Sequence, residues 1–187
     1  MRKIPVFIIL FILLFCNTSS AYIPDIHVRL NDVLMLNSYI ENRNYGLDTN
    51  MTMKVARTII SKSHKHGVPW EVIAAIAQNE SDFDNSKIGG LGEIGIMQIL
   101  TLECNGEKFD KKKLKEISYN IECGVKLFKE KVRLCGGDII TGIMYYNGKG
   151  KEARKYLLKI SLTLIYMLEY RIKYFKDGVK NESRKQY

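Results

Sequence analysis

The chain has 187 residues, of which 46% are hydrophobic and 26% charged, and its formal net charge is +9. This length suits one domain with a sizeable core and leaves little room for a second, and no low-complexity tract or internal repeat interrupts it. The positive charge would suit nucleic acid, anionic lipid or an anionic wall polymer as a partner; a solvated surface that binds nothing is the alternative.

Residues 1–21 have the pattern of a signal peptide. Arg2 and Lys3 form the basic start, Ile4 to Cys16 is apolar, and small residues up to Ala21 suit a cleavage site. The apolar run is shorter than the roughly 20 residues that a membrane span needs. We therefore expect cleavage near Ala21 and an exported protein, periplasmic or secreted, for which nucleic acid is not the natural partner.

Two other interpretations of this segment stay open. It could remain uncleaved as an anchor, or Cys16 could carry a lipid. Phe15 disfavours the lipid, because lipoprotein signals normally have a small residue at that place.

The first helix is predicted from Ile26 to Ile40, and a loop follows from Asn42 to Asn50. Thr52 is the expected cap of a second helix, which Gly67 ends. The apolar residues that recur at helical spacing are Ile26, Leu30, Val33, Leu34 and Ile40 in the first helix, and Val55, Ile59 and Ile60 in the second.

A third helix is predicted from Trp70 to about Asn79, with Pro69 suited to its first turn. Ile73, Ile76 and Ala77 precede Glu80 by seven, four and three residues, which places the Glu80 side chain on the apolar face. Partial burial there would raise the pKa of the carboxyl, as a general acid near neutral pH requires. The alternative is that the helix frays and Glu80 is an exposed end residue.

Glycine, serine and asparagine are dense from Asn85 to Gly95, which indicates a loop with unusual backbone angles. Further helices are predicted at Ile96–Leu102, Ile117–Leu134, Ile139–Tyr146 and Glu152–Phe175, and no clear β-alternation occurs. The last helix is amphipathic, since Lys159 and Glu169 argue against a membrane span. Its predicted apolar stripe is Leu157, Ile160, Leu164, Leu168, Ile172 and Phe175.

Charge and cysteine content limit the remaining possibilities. Ten basic and four acidic residues follow Gly150, so most of the excess charge lies in the final segment. Cys104, Cys123 and Cys135 allow one disulfide with one thiol left over, and the sequence leaves the pairing open. No CxxC occurs and the histidines are distant in sequence, so a zinc site is not expected.

Four motifs, in this order, resemble the lytic transglycosylase family with the goose-lysozyme-like catalytic domain. They are Ala75 to Phe83, Gly92 to Ile99, Asn120 to Gly124 and Tyr145 to Gly148. The resemblance implies an all-α fold with a lysozyme-like transglycosylase domain at residues 61–156. A helical extension at 22–60 would precede that domain, and a basic C-terminal helix and tail at 157–187 would pack on it.

The resemblance also implies a role for each matched residue. Glu80 matches the catalytic acid, and Ser81 the residue whose hydroxyl helps to orient its carboxyl. Met97 and Gln98 match sugar contacts, although a methionine at this spacing suits the core equally well. Tyr146 and Asn147 match the wall of the cleft. Asn120 and Gly124 match a helix-packing motif.

The chain departs from the family pattern at two places. Glu93 stands where the family commonly has a small residue, and the proline expected soon after Gln98 is missing. A second carboxylate near Glu80 would favour hydrolysis through an activated water, although a loop or supporting role for Glu93 is the simpler interpretation. The missing proline predicts that the helix after Ile96 continues.

By this resemblance the substrate is the peptidoglycan glycan strand, cleaved between N-acetylmuramic acid and N-acetylglucosamine with a 1,6-anhydro end as the product. Glu80 would act first as acid and then as base, and no metal or organic cofactor is expected. A lysozyme-like muramidase and an inactive wall-binding accessory of a secretion system are the alternatives. Family analogy suggests secretion, conjugation or pilus machinery as partners, and we expect a monomer.

Overall fold

The computed structural model describes residues 26–100, 103–104, 107–148 and 150–183. The predicted signal peptide, with Cys16, lies outside these residues. The described chain is mostly helical, which confirms the predicted all-α class. Its helices are α1 (Ile26–Arg43), α2 (Thr49–His66), α3 (Trp70–Ser81), α4 (Ile117–Leu134), α5 (Ile139–Tyr146) and α6 (Lys151–Ser183).

Two minor elements join α3 to α4. A short antiparallel hairpin pairs β1 (Glu103–Cys104) with β2 (Glu107–Lys108), and a 3₁₀ turn follows at Lys113–Lys115. No helix in the described ranges has the length and apolar character that crossing a membrane requires.

Helix α3 lies at the centre of the fold. Its residues from Val72 to Ala77 are all buried, as expected of a helix that is apolar around its whole circumference. It packs against α2 on one side and α6 on another, and α6 also contacts α5 and α1. The C-terminal helix therefore packs on the rest of the fold, and the predicted boundaries at 60/61 and 156/157 fall inside the continuous helices α2 and α6.

The predicted start of the second helix is wrong. Helix α2 begins at Thr49, and the carboxylate of Asp48 caps it by accepting a hydrogen bond from the backbone N–H of Met51 at 3.3 Å. Thr52 lies inside the helix, fully buried, and donates from its hydroxyl to Asn37 at 2.8 Å. The predicted end is confirmed, because Gly67 adopts a left-handed conformation with φ 65°.

The predicted apolar face of α1 is also wrong in part. Leu30 and Leu34 are exposed, whereas the buried face combines apolar residues with the polar Asp32 and Asn37. These two polar residues have partners in other helices: Asn37 in α2, and Asp32 in α6 through Arg171, 3.0 Å away. Among residues 30–43 of α1, the buried ones are Asp32, Met35, Leu36, Asn37, Tyr39 and Ile40.

The predicted helix at Ile96–Leu102 does not form in its described part, which ends at residue 100. Ile94 instead forms antiparallel bridges with Ile88 and Ile99, and a tight turn from Gly95 to Gln98 lies between Ile94 and Ile99. Gly95 has φ 74° and Gln98 has φ 45°, values that no right-handed helix contains. The missing proline therefore does not let a helix continue.

Helix α6 begins at Lys151 and continues past the predicted end at Phe175 to Ser183. Its buried face differs from the predicted stripe, because Ile172 and Phe175 are exposed whereas Ala153, Tyr156, Thr163 and Met167 are buried. Of the predicted stripe only Ile160 is fully buried. The other helix predictions agree better: α4 and α5 have the predicted bounds, and α3 runs two residues past Asn79 with Pro69 as its cap.

Candidate active site

Glu80 occupies the second-to-last position of α3, on a half-buried surface. Its Oε1 accepts a hydrogen bond from the hydroxyl of Tyr156 in α6 at 2.7 Å. Burial raises the pKa of the Glu80 carboxyl, and the charge of Glu93 adds to this, whereas the Tyr156 hydrogen bond and the charges of Lys87 and Lys159 oppose it. The net effect favours the protonated form, which is the form a general acid needs.

The backbone turns sharply directly after Glu80. Asp82 and Phe83 have φ values of 54° and 66°, which side chains with a Cβ rarely adopt. The complete burial of Phe83 holds this conformation, and Asn44 donates to the carbonyl of Asp82 at 2.9 Å. Such strain persists where the surrounding structure fixes it, as it commonly does beside functional groups.

Ser81 is placed differently from its prediction. Its buried hydroxyl donates to the carbonyl oxygen of Ile96 at 2.8 Å, with the carbonyl of Ala77 at 3.2 Å, and not to the Glu80 carboxyl. Ser81 therefore joins the end of α3 to the turn that contains Gln98.

Gln98 is linked to Glu80 through the backbone and side chain of Lys87. Its amide Nε2 donates to the carbonyl of Gly95 at 2.8 Å and to the carbonyl of Lys87 at 3.2 Å. The ammonium of Lys87 in turn lies 2.5 Å from the backbone carbonyl oxygen of Glu80 and donates to it. Gln98 is half-buried, and its predicted sugar contact stays a prediction.

Asn120 holds the backbone of the segment from Ile94 to Met97 by hydrogen bonds. Fully buried in α4, it accepts from the backbone N–H of Met97 at 2.8 Å and donates to the carbonyls of Ile94 and Leu114 at 2.8 and 2.9 Å. A Cβ on Gly95 would lie only 2.6 Å from the Asn120 amide nitrogen, so that position needs glycine. The structural role predicted for Asn120 is thereby confirmed, although its partners are backbone groups between α3 and α4 and not another α-helix.

Met97 belongs to the core. Its side chain is fully buried against Gly124, where an added Cβ would approach the Met97 side chain to 2.6 Å. The predicted side-chain contact with sugar is therefore not what the structure shows, and the alternative of a core methionine holds. Gly124 has the predicted packing role, because only glycine leaves room for Met97.

Tyr146 ends α5 close to this centre. Its hydroxyl donates to the carbonyl of Met97 at 3.1 Å, and its ring packs half-buried against the core. The neighbouring Tyr145 is more exposed, as expected of adjacent residues on a helix. Asn147 is exposed at the helix end, and the cleft-wall roles of Tyr146 and Asn147 stay predictions.

Glu93 turns toward its own loop. Its Oε2 accepts from the backbone N–H of Leu91 at 2.9 Å and lies against Gly89, where a Cβ would clash at 2.3 Å. Its charge nevertheless raises the pKa of Glu80, so the two carboxylates share one electrostatic environment.

Tyr156 is the site residue that sequence reasoning missed. It lies on the buried face of α6, and burial together with the nearby Glu80 and Tyr146 raises the pKa of its hydroxyl. The signal was available, because a tyrosine in register with Ile160 and Thr163 on a buried helix face needs a hydrogen-bond partner.

The cysteine prediction stays open. Cys123 is buried and Cys135 half-buried, whereas the side chain of Cys104 lies outside the described residues.

The family model described as the transglycosylase SLT domain matches residues 57–159, more than half of the chain. No curated protein gives a significant match. The matched range begins within α2 and ends within α6, and it includes Glu80, Gln98, Tyr146 and Tyr156. The chain therefore belongs to the transglycosylase SLT family, whose general activity is the lytic cleavage of peptidoglycan.

Proposed function

We propose that this chain is an exported lytic transglycosylase that cleaves the β-1,4 bond between N-acetylmuramic acid and N-acetylglucosamine and leaves 1,6-anhydromuramic ends. The observation that carries the proposal is the Glu80 carboxyl. It is half-buried, it accepts a hydrogen bond from Tyr156 at 2.7 Å, and its pKa is raised by burial.

In the first step protonated Glu80 gives its proton to the glycosidic oxygen. The bond from this oxygen to C1 of the muramic residue breaks, and N-acetylglucosamine leaves with a free 4-hydroxyl. As that bond breaks, the carbonyl oxygen of the substrate's own N-acetyl group bonds to C1, and the positive charge is spread over the resulting oxazolinium ring. The Tyr156 hydroxyl stabilises the carboxylate that Glu80 becomes, because hydrogen bonds to a charged acceptor are the stronger ones.

In the second step the Glu80 carboxylate takes the proton of the muramic 6-hydroxyl. The 6-oxygen bonds to C1 as the bond to the N-acetyl oxygen breaks, and Glu80 returns to its protonated form. One carboxyl thus serves as acid and then as base, and no water is consumed.

A muramidase is the second candidate, and one observation favours it. Glu93 is close enough for its charge to raise the pKa of Glu80, and a second carboxylate is what an ordinary glycosidase uses to activate water. Against it, the Glu93 carboxylate accepts from the backbone of its own loop and lies against Gly89. This contact supports a role in shaping the loop.

Mass spectrometry of the products separates the two reactions. Purified chain is incubated with murein, and the released ends are weighed. Anhydro ends, about 18 mass units lighter than hydrated ends, are expected. Reducing ends alone would establish the muramidase.

The Glu80→Gln variant is the control for contamination and for the inactive alternative. The variant should release neither product, since an amide cannot supply the proton. If the natural chain itself releases nothing from murein, the accessory hypothesis replaces the enzyme.

A further inference from the structure

We propose that the outer face of α6 is a docking surface for an anionic lipid bilayer. This outer face consists of apolar side chains that point away from the fold, with lysines and arginines at both ends. The apolar side chains are those of Leu158, Leu162, Tyr166 and Ile172, and the flanking basic ones those of Lys151, Arg154, Lys155, Lys159, Lys173 and Lys176.

The apolar side chains form one stripe. Residues four apart on a helix lie on the same side, so Leu158, Leu162 and Tyr166 follow one another along α6. Their side chains are 60%, 54% and 60% exposed, although the same helix buries Tyr156 and Ile160 on its other side. Scattered exposed apolar residues need no explanation, but a contiguous stripe of them marks a contact surface.

The charges around the stripe identify the occupant. From Lys151 to Gly178, and without Arg171, which pairs with Asp32 and Glu71 on the packed side, the chain has six basic and three acidic residues, a net charge of +3. The flanking basic side chains are exposed, and Glu169 is the acidic residue within the stripe. Leucine and tyrosine bordered by lysine are typical of helices that lie in the interface of an anionic bilayer. A second copy of this surface would instead bring like charges together.

The fold suits a helix that lies on a membrane and does not cross it. The matched domain ends at residue 159, so most of the stripe lies beyond the part of the chain that the family match covers. Lys159 acts electrostatically on Glu80 and lies about 100° around the helix from Leu158. A bilayer on the stripe would therefore leave Glu80 to one side, facing away from the lipid.

The test is vesicle binding by the chain from Tyr22 onward. This form contains the whole described core, which lies between Met35 and Met167, and omits the N-terminal apolar run that would itself bind lipid. Co-sedimentation with phosphatidylglycerol vesicles should exceed that with phosphatidylcholine vesicles by about tenfold, and added salt should reduce it. Equal binding to both vesicle types, or binding to neither, would overturn the proposal.

A triple variant tests the face itself. Replacing Leu158, Leu162 and Tyr166 by serine should weaken binding to phosphatidylglycerol vesicles by about tenfold or more. Leu134→Ser is the matched control, because Leu134 is 62% exposed at the end of α4, and its binding should equal that of the unaltered chain. Unchanged binding by the triple variant would refute the role of this face.

Two further readouts separate membrane binding from misfolding and from dimer formation. Circular dichroism and release of soluble murein fragments should be the same for the triple variant and the unaltered chain, which shows that the fold is intact. Sedimentation velocity without lipid should give a monomer at every concentration. A dimer that the triple variant abolishes would assign the face to a second copy and reject the membrane.

Discussion

The two ends of α3 each carry a half-buried glutamate, and both glutamates contact α6. At the C-terminal end, Glu80 accepts a hydrogen bond from the neutral hydroxyl of Tyr156. At the N-terminal end, Glu71 lies 3.5 Å from the guanidinium of Arg171, which also pairs with Asp32. Burial raises the pKa of both glutamates, and that of Glu71 reaches about 7.

The two partners differ in a way that fits the catalytic role proposed for Glu80. A hydroxyl can stabilise the carboxylate of Glu80 without fixing its charge, so that Glu80 remains free to release and recover a proton. Arg171 is permanently charged and favours the ionised form of Glu71, although burial still raises the pKa of that glutamate to about 7. The guanidinium is held by Asp32 and by the rings of Trp70 and Phe175 at 6.0 Å. Burial alone therefore does not make a glutamate a catalytic acid. The residue that contacts its carboxyl and its access to substrate matter as well.

The largest effect should come from exchanging each glutamate for glutamine. Glu80→Gln should reduce murein cleavage by about 10³-fold, because the amide has no proton to transfer. Glu71→Gln is the matched control at the other end of the same helix and should retain most activity. Fragment release from murein measures both. If the two variants lost activity equally, the cause would be the loss of a half-buried carboxyl from α3, and the proton of Glu80 would have no special role.

The pH dependence of the free energy of unfolding should reveal the titration of the buried Glu71 carboxyl. Folding raises the pKa of Glu71 from 4.5 to about 7, so this group stabilises the fold in acid, and the contribution is lost as the pH rises through about 7. Glu71→Gln should remove this pH-dependent loss. The free energy of unfolding should rise by roughly 3 kcal/mol at pH 8 and change little at pH 4.

Urea unfolding at the two pH values provides the measurement. Glu152→Gln is the control, because Glu152 is an exposed residue of α6 whose charge pairs with Lys155 at the surface. An unchanged stability of Glu71→Gln at pH 8 would show that Arg171 fully compensates the buried carboxylate.

A smaller change is expected from Tyr156→Phe, which removes the hydroxyl that donates a hydrogen bond to the Glu80 carboxyl. Cleavage should fall about tenfold, because the carboxylate formed in the first step loses a hydrogen bond. The alkaline limb of the pH profile should move to higher pH, since this hydrogen bond lowers the pKa of Glu80. Tyr166→Phe, the same change on the outer face of α6, is the control. A lower rate with an unmoved alkaline limb would indicate a purely structural role for Tyr156.

The smallest effect should follow from Lys87→Met. The exposed Lys87 ammonium donates to the Glu80 carbonyl and lowers the pKa of its carboxyl, so its loss should shift the alkaline limb slightly upward and change the rate about twofold. Lys111→Met removes a lysine charge from an exposed position in another part of the chain and should change neither. A shift of the limb to lower pH in Lys87→Met would contradict this assignment of charges.

Capping residues and the spacing of apolar residues predicted a helix well where nearby residues alone determine its bounds. The bounds of α4 and α5 agree to the residue, and the carboxylate of Asp138 caps α5 by accepting from the backbone N–H groups of Ile140 and Thr141. The position of Glu80 on the packed side of α3 also followed from the register of its apolar neighbours. Such features depend on residues within one or two turns.

The predictions were wrong where contacts with residues distant in sequence determine the local structure. Asp32 lies buried on α1 because of Arg171, which is 139 residues away, and Ser81 bonds to Ile96 instead of its neighbour Glu80. The turn at Gln98 has a left-handed backbone because Asn120 holds Met97 and Ile94 from α4. Helical spacing contains none of this information, so the pattern after Ile96 was misinterpreted as a helix.

Because one helix supplies both Tyr156 and Arg171, its length between them cannot change by single residues. Deleting one residue would rotate everything beyond it by about 100° and shift it by about 1.5 Å, which would separate either the tyrosine or the arginine from its glutamate. Lys176, Asp177 and Gly178, which follow Phe175, are exposed. Insertions and deletions should therefore be tolerated at the C-terminal end of α6. In the fourteen positions between Tyr156 and Arg171 they should abolish murein cleavage.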